Sequence, residues 1–141
     1  MSEIFRIYLA GGCANEADEG RGWREKAVEI FKQASDKTEY NVKVINPLDF
    51  FSYSKPCHQS DYQVKDYYLD QILHSRLVLV NLNGSNRSCG SAQELQFARD
   101  HGIQIIGFGE TDVYNWMKID CQATFPSLLQ AIDYIIEKYL W

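Results

Sequence analysis

No apolar run in this 141-residue sequence approaches the ~20 residues of a membrane span. No basic segment leads into an apolar one behind Met1-Ser2-Glu3-Ile4, so no secretory signal is expected. Basic clusters are missing as well. With a net charge of −5 the surface would repel a nucleic-acid backbone, and no polymeric nucleic-acid partner is expected. Single nucleotides are not excluded, because a few local N–H groups can bind one phosphate. Cys13, Cys57, Cys89 and Cys121 form no Cys-x-x-Cys pair, and His58, His74 and His101 show no metal-ligand spacing. The cysteines read as free thiols in a reducing cytoplasm. Repeats, low-complexity stretches and linkers are absent. With 45% hydrophobic and 23% charged residues, residues 1–141 read as one soluble globular domain with a full core.

What is present is an alternation of strands and helices. Ile4 to Leu9 is short and β-prone and ends in Ala10-Gly11-Gly12, where two glycines let backbone approach a ligand closely or simply turn the chain. A helix follows from near Trp23, with Trp23, Ala27, Ile30, Phe31 and Ala34 as its buried stripe. Val42 to Ile45 forms a second strand, stopped by Asn46-Pro47. The loop Asp49-Phe50-Phe51-Ser52-Tyr53 is rich in aromatics, fit to flank a base or to cover the core edge. A helix runs from about Ser60, its expected N-cap, to His74, with Val64, Tyr68 and Ile72 on one face. Asp66 and Asp70 share another face, as solvated acids.

Leu77 to Leu82 is the most apolar strand and is expected at the centre, buried on both faces. The helix after Ser88-Cys89-Gly90-Ser91-Ala92-Gln93-Glu94-Leu95 ends at His101-Gly102, and Gln104 to Phe108 is a fourth strand. The loop Gly109 to Ala123 has room for a short fifth strand. Thr124 is expected to cap the last helix, with Pro126 in its first turn. The alternation predicts an α/β fold: a three-layer, flavodoxin-like parallel sheet of four to five strands with helices on both faces.

Glu94 is the residue of most chemical interest. It follows the central strand, in what reads as the first turn of a helix, beside a strand end where α/β sheets bind ligands. Ser91-x-x-Glu94 also matches a capping box, in which both side chains merely satisfy free N–H groups. In the flavodoxin-like order the Gly11-Gly12 turn and the Ser88–Glu94 turn become neighbours, which raises the chemical reading above the capping one.

Several pieces together resemble the nucleoside 2-deoxyribosyltransferase family and its nucleotide N-glycosidase relatives. They are Ile7-Tyr8-Leu9-Ala10-Gly11-Gly12, Trp23-Arg24, Asn46-Pro47, Ser88-x-Gly90-Ser91-x-x-Glu94-Leu95 and Ile105-Ile106-Gly107-Phe108-Gly109. The resemblance runs over nearly the whole chain. It implies that Glu94 attacks C1′ of a deoxyribose to give a covalent glycosyl-enzyme, released by a second nucleobase or by water. Tyr8 is implied to orient Glu94. Gly11, Gly12, Ser88 and Gly90 are implied to line the sugar and any 5′-phosphate, with Asp49 and Ser91 as further substrate-binding candidates. Ser88 stands where many transferases carry Asp, which favours a nucleoside 5′-monophosphate. Asn115 and Trp116 match a loop that reaches a neighbouring subunit, so a homo-oligomer is implied. No metal and no cofactor is implied.

The sequence departs from the family at one position. The family's second-helix Asp, which handles the proton on the departing base, is replaced by Tyr68. A tyrosine titrates near ~10 and is a poor base, though it can act as an acid or stack on a base. Asp49, Asp66 and Asp70 are the stand-in candidates. The main alternative is therefore a nucleotide-binding sensor or sequestering protein on the same fold, with little or no turnover. An NAD-cleaving TIR-like domain fits the glycine and serine stretches less well.

Overall fold

The computed structural model describes residues 3–12, 20–49, 61–83, 89–109 and 116–140. Five strands form one parallel sheet: β1 (Glu3–Ala10), β2 (Tyr40–Ile45), β3 (Leu77–Asn81), β4 (Gln104–Phe108) and β5 (Ala123–Phe125). Their order is β2-β1-β3-β4-β5, the flavodoxin-like order expected from the sequence. Each consecutive pair of strands is joined through a helix, as parallel pairing requires. These are α1 (Arg21–Ser35), α2 (Asp61–Leu73), α3 (Cys89–Asp100) and the short α4 (Trp116–Ile119), and α5 (Leu128–Tyr139) closes the fold. A single 3-10 turn, Pro47–Asp49, follows β2.

Strand alternation sorts the core into two clusters. Phe5, Ile7 and Leu9 of β1 point to one face, where Ala27 and Phe31 of α1 and Ala131, Ile132 and Ile135 of α5 cover them. Tyr8 and Ala10 point to the other face, against Ile72 of α2, Leu95 and Ala98 of α3 and Met117 of α4. β3 sits third of five, and Leu77 to Val80 are all buried, as the unbroken apolar run predicts. The mid-chain reversal of direction falls between β1 and β3, whose carboxyl ends lie side by side through Leu9↔Leu79 and Ala10↔Val80.

Three local expectations shift. Ser91 and Glu94 are not a capping box, because α3 already begins at Cys89 and both residues lie within it; Glu94 is in the second turn rather than the first. Thr124 is not the cap of the last helix: it lies in β5, and Ser127 caps α5, its hydroxyl accepting from the Gln130 N–H at 3.3 Å. Pro126 explains the shift, since the residue before a proline is driven to extended backbone, which prolongs the strand through Phe125 and leaves the next polar residue to cap. The expected cap Ser60 lies outside the described residues.

The position of this cap is testable. Ser127→Ala should lower stability by ~1 kcal/mol. Thr124→Ala, on an exposed strand position, should stay within about 0.5 kcal/mol. Urea unfolding of the two variants measures both, and equal losses would return the cap to Thr124.

Candidate active site

Glu94 lies on a helical stripe that otherwise faces the sheet. Ser91, Leu95 and Ala98 are buried at helical spacing, and Glu94, three residues after Ser91, shares their side of α3. A carboxylate in such a stripe must find a donor or lose its charge. It finds the hydroxyl of Tyr8, which is fully buried on β1 and donates to Glu94 Oε2. Two elements separated by 86 residues in sequence thus meet through one hydrogen bond at the switch point of the sheet.

Burial pushes the Glu94 carboxyl up to about 7, against the opposing pull of the Tyr8 hydrogen bond and the Arg24 charge. Tyr8 is held well above the usual phenol value, first by burial and then by the neighbouring Glu94 charge and the bond to it. Near neutral pH, Tyr8 is therefore a protonated donor, while Glu94 is close to the point where acid and carboxylate are equally populated. A carboxylate so placed can act as nucleophile or as proton carrier.

Backbone and side chains of the neighbouring strand ends frame the pair. Gly11 follows β1 with φ +150°, and a Cβ there would stand 3.2 Å from the Asn81 side chain and 3.3 Å from the Trp23 ring. The positive φ and the tight space together favour glycine at this approach of β1 to β3. Gly12 is half-buried beside it. Gly90, in the first turn of α3, is exposed, with open space where a side chain would be. Ser91 is buried inside α3. Asp49 is exposed at the end of the turn after β2.

Tyr68 packs from α2 against the same core cluster as Tyr8, and its hydroxyl donates to the Pro47 carbonyl at 3.0 Å. That bond ties α2 to the turn after β2. Asp66 and Asp70 are exposed, and Asp70 lies 3.6 Å from His74 in an ion-pair geometry. The fold thus brings Tyr8, Glu94, Tyr68 and Gly11 to one end of the sheet. Ser88, Asn115 and the Trp116 side chain lie outside the described residues. Among the described residues, no group of three or more His, Cys, Asp or Glu side chains is placed to hold a metal ion. No described helix is long and apolar enough to cross a membrane.

One residue that the sequence reading gave no role stands out here. Arg24 is fully buried, in the inward stripe of α1 with Ala27, Phe31 and Ala34. Its place three residues before Ala27 and seven before Phe31 was the available signal.

No protein-family model and no curated protein matches the sequence. Solved structures do match. A 2-desoxiribosyltransferase from Leishmania mexicana superposes with a TM-score of 0.72 at 19% identity, over 96% of this chain and 99% of that one. A 2-deoxyribosyltransferase from Bacillus psychrosaccharolyticus gives 0.59 at 20% identity, over 95% of this chain and 91% of that one. The Clostridium botulinum CMP N-glycosidase gives 0.51 at 15% identity, over 94% and 96%. The chain has the fold of these enzymes.

The Glu94 environment predicts how stability depends on pH. A carboxyl that titrates at about 7 when folded, against an ordinary 4.5, binds an extra proton in the native state between those values. Native stability should therefore fall as pH rises through that window. Glu94→Gln removes the titration and keeps an acceptor for Tyr8. It should match wild type near pH 4.5 and exceed it by up to ~3 kcal/mol above pH 7. Urea unfolding of both proteins across pH measures this, and a difference that does not vary with pH would contradict it.

Proposed function

We propose that this protein cleaves the N-glycosidic bond of a nucleoside or nucleoside 5′-monophosphate, as a deoxyribosyltransferase or an N-glycoside hydrolase, with Glu94 as nucleophile. The observation that carries the reading is the Tyr8–Glu94 hydrogen bond at the switch point of a fold shared with deoxyribosyltransferases and an N-glycosidase. Ionised Glu94 attacks C1′ as the C1′–N bond breaks, and the base leaves with the bonding pair and takes up a proton. The resulting glycosyl ester is opened at C1′ by a nitrogen of a second base, or by water, which returns Glu94 as carboxylate. Tyr8 keeps its proton throughout and fixes the direction of the attacking oxygen. Gly11, Gly12, Ser88, Gly90 and Ser91 serve the sugar and its 5′-substituent, with Asp49 as a further substrate-binding residue. The proton for the base comes from Tyr68 or from Asp49; Asp66 and Asp70 are exposed and lie two residues to either side of Tyr68, off its face of α2.

Incubation with a panel of deoxynucleosides, their 5′-monophosphates and NAD tests the reading. Base release or exchange on a deoxynucleoside or its monophosphate is expected, with kcat/KM rising with pH through about 7 as Glu94 ionises. Glu94→Gln should lose several orders of magnitude in rate while remaining folded. Normal turnover by Glu94→Gln would remove the nucleophile assignment, and nicotinamide release alone would indicate the TIR-like chemistry.

A second reading, a nucleotide-binding protein with little turnover, is favoured by Tyr68, whose hydroxyl is already engaged by Pro47. General acid–base help is worth ~10²–10⁴-fold, so Tyr68→Asp should speed base release if that position handles the proton. Binding of a monophosphate without release by either protein would establish the second reading.

The proposal includes a homo-oligomer in which Asn115 and Trp116 reach a neighbouring copy. Light scattering at micromolar concentration should give a dimer or larger, and a clean monomer would remove this part.

A further inference from the structure

Among the described residues, Arg24 is the one charged side chain that is fully buried. Its fork spans two backbone carbonyls: Nη2 donates to Gly11 O and Nη1 to Gly20 O, each at 3.0 Å. Gly11 follows β1 directly and Gly20 precedes α1 directly, so one guanidinium holds both ends of the connection between them. Its plane is further fixed by the Trp23 ring, 4.7 Å below Cζ. Nε is buried without an acceptor. A Cβ on Gly20, which has φ +74°, would stand 2.6 Å from the Gly12 carbonyl oxygen and 2.3 Å from Nη1, so the left-handed turn beside the guanidinium needs glycine.

We propose that Arg24 is a positioning residue for the site: its two hydrogen bonds lock Gly11 and Gly20 in place, and its fixed positive charge acts on the Tyr8–Glu94 pair. The charge is not neutralised by an ion pair with any described carboxylate, and burial leaves it little screened by solvent. Burying a guanidinium without a carboxylate partner among the described residues is costly, and two carbonyls and an indole only partly offset that cost. Among the described residues, the groups acting on Glu94 are Tyr8 from β1 and Arg24 from α1, and Tyr68 from α2 acts on Tyr8. Arg24 is the only cation among them, and it favours the ionised form of Glu94. A planar fork is what two divergent carbonyls require, and lysine offers the charge without the fork.

The catalytic consequence rests on the glycosidic reading above, but the positioning itself can be read in the free protein. Carboxylate NMR follows Glu94, and backbone NMR follows Gly11 and Gly20, in wild type, Arg24→Met and Arg24→Lys. In Arg24→Met the Glu94 midpoint should move up by about 0.5 pH unit or more, with both glycine resonances displaced. In Arg24→Lys the midpoint should stay near wild type while the glycine resonances still move. On a turned-over nucleotide, the acid limb of kcat/KM should shift upward with the Met variant. The Lys variant should lose about tenfold or more in kcat through lost positioning. An unmoved Glu94 midpoint in folded Arg24→Met would overturn the proposal. If Arg24→Met fails to fold, Arg24→Lys decides: unmoved glycine resonances would overturn the proposal, and displaced ones with a retained midpoint would support it. Absence of turnover on every substrate would count against the glycosidic reading and leave the NMR result for Arg24 standing.

Discussion

The parallel pairing of β1 with β3 is the constraint on which the site rests. Tyr8 lies opposite Val78, and from that level both strands run the same way toward the rim where β3 hands on to α3. An antiparallel neighbour would put the start of α3 at the opposite end of the sheet, and Glu94 would be out of reach. Because both strands run the same way, the glycine turn after β1, the end of β3 and the first turns of α3 converge on one rim. The hydrogen bond between Tyr8 and Glu94 is the product of that convergence.

The site is held at a thermodynamic disadvantage that the surrounding core absorbs. The stripe of α3 that packs on the sheet would be more stable with an apolar residue at position 94, because burial there opposes the charged form of Glu94. Both sheet faces are filled by branched and aromatic side chains, and β1 and β3 are buried on both sides. Such a frame tolerates one strained carboxylate without yielding, which is how stability and reactivity trade against each other in many sites.

The fold and the candidate carboxylate were legible for different reasons. The strand–helix alternation and the unbroken Leu77–Val80 run carry the sheet order, because periodicity and length report burial directly. Glu94 was legible because a carboxylate follows the central strand by a few residues. Its exact turn in the helix was not, since Ser91-x-x-Glu94 imitates a cap and the true start of α3 depends on tertiary packing. The end of the last loop was misjudged at Thr124 because two hydroxyl residues flank Pro126, and only the extended demand on Phe125 distinguishes them. Arg24 carried no role in the sequence because a charged residue on an apolar stripe reads as a solvated flank unless its carbonyl partners, on Gly11 and Gly20, are known.

The two edges of the sheet have a consequence for how copies of this chain can meet. β5 contributes only three residues, and the other edge, β2, turns Asn41 and Lys43 to solvent between half-buried Val42 and Val44. A three-residue edge offers too short a ladder for another strand to join, and a lysine on the opposite edge disfavours strand addition there. The hydrogen-bonding capacity of the backbone is thereby kept within one molecule. Strand addition is disfavoured at both edges, which favours association through helix faces and loops and guards the sheet against runaway stacking into fibres.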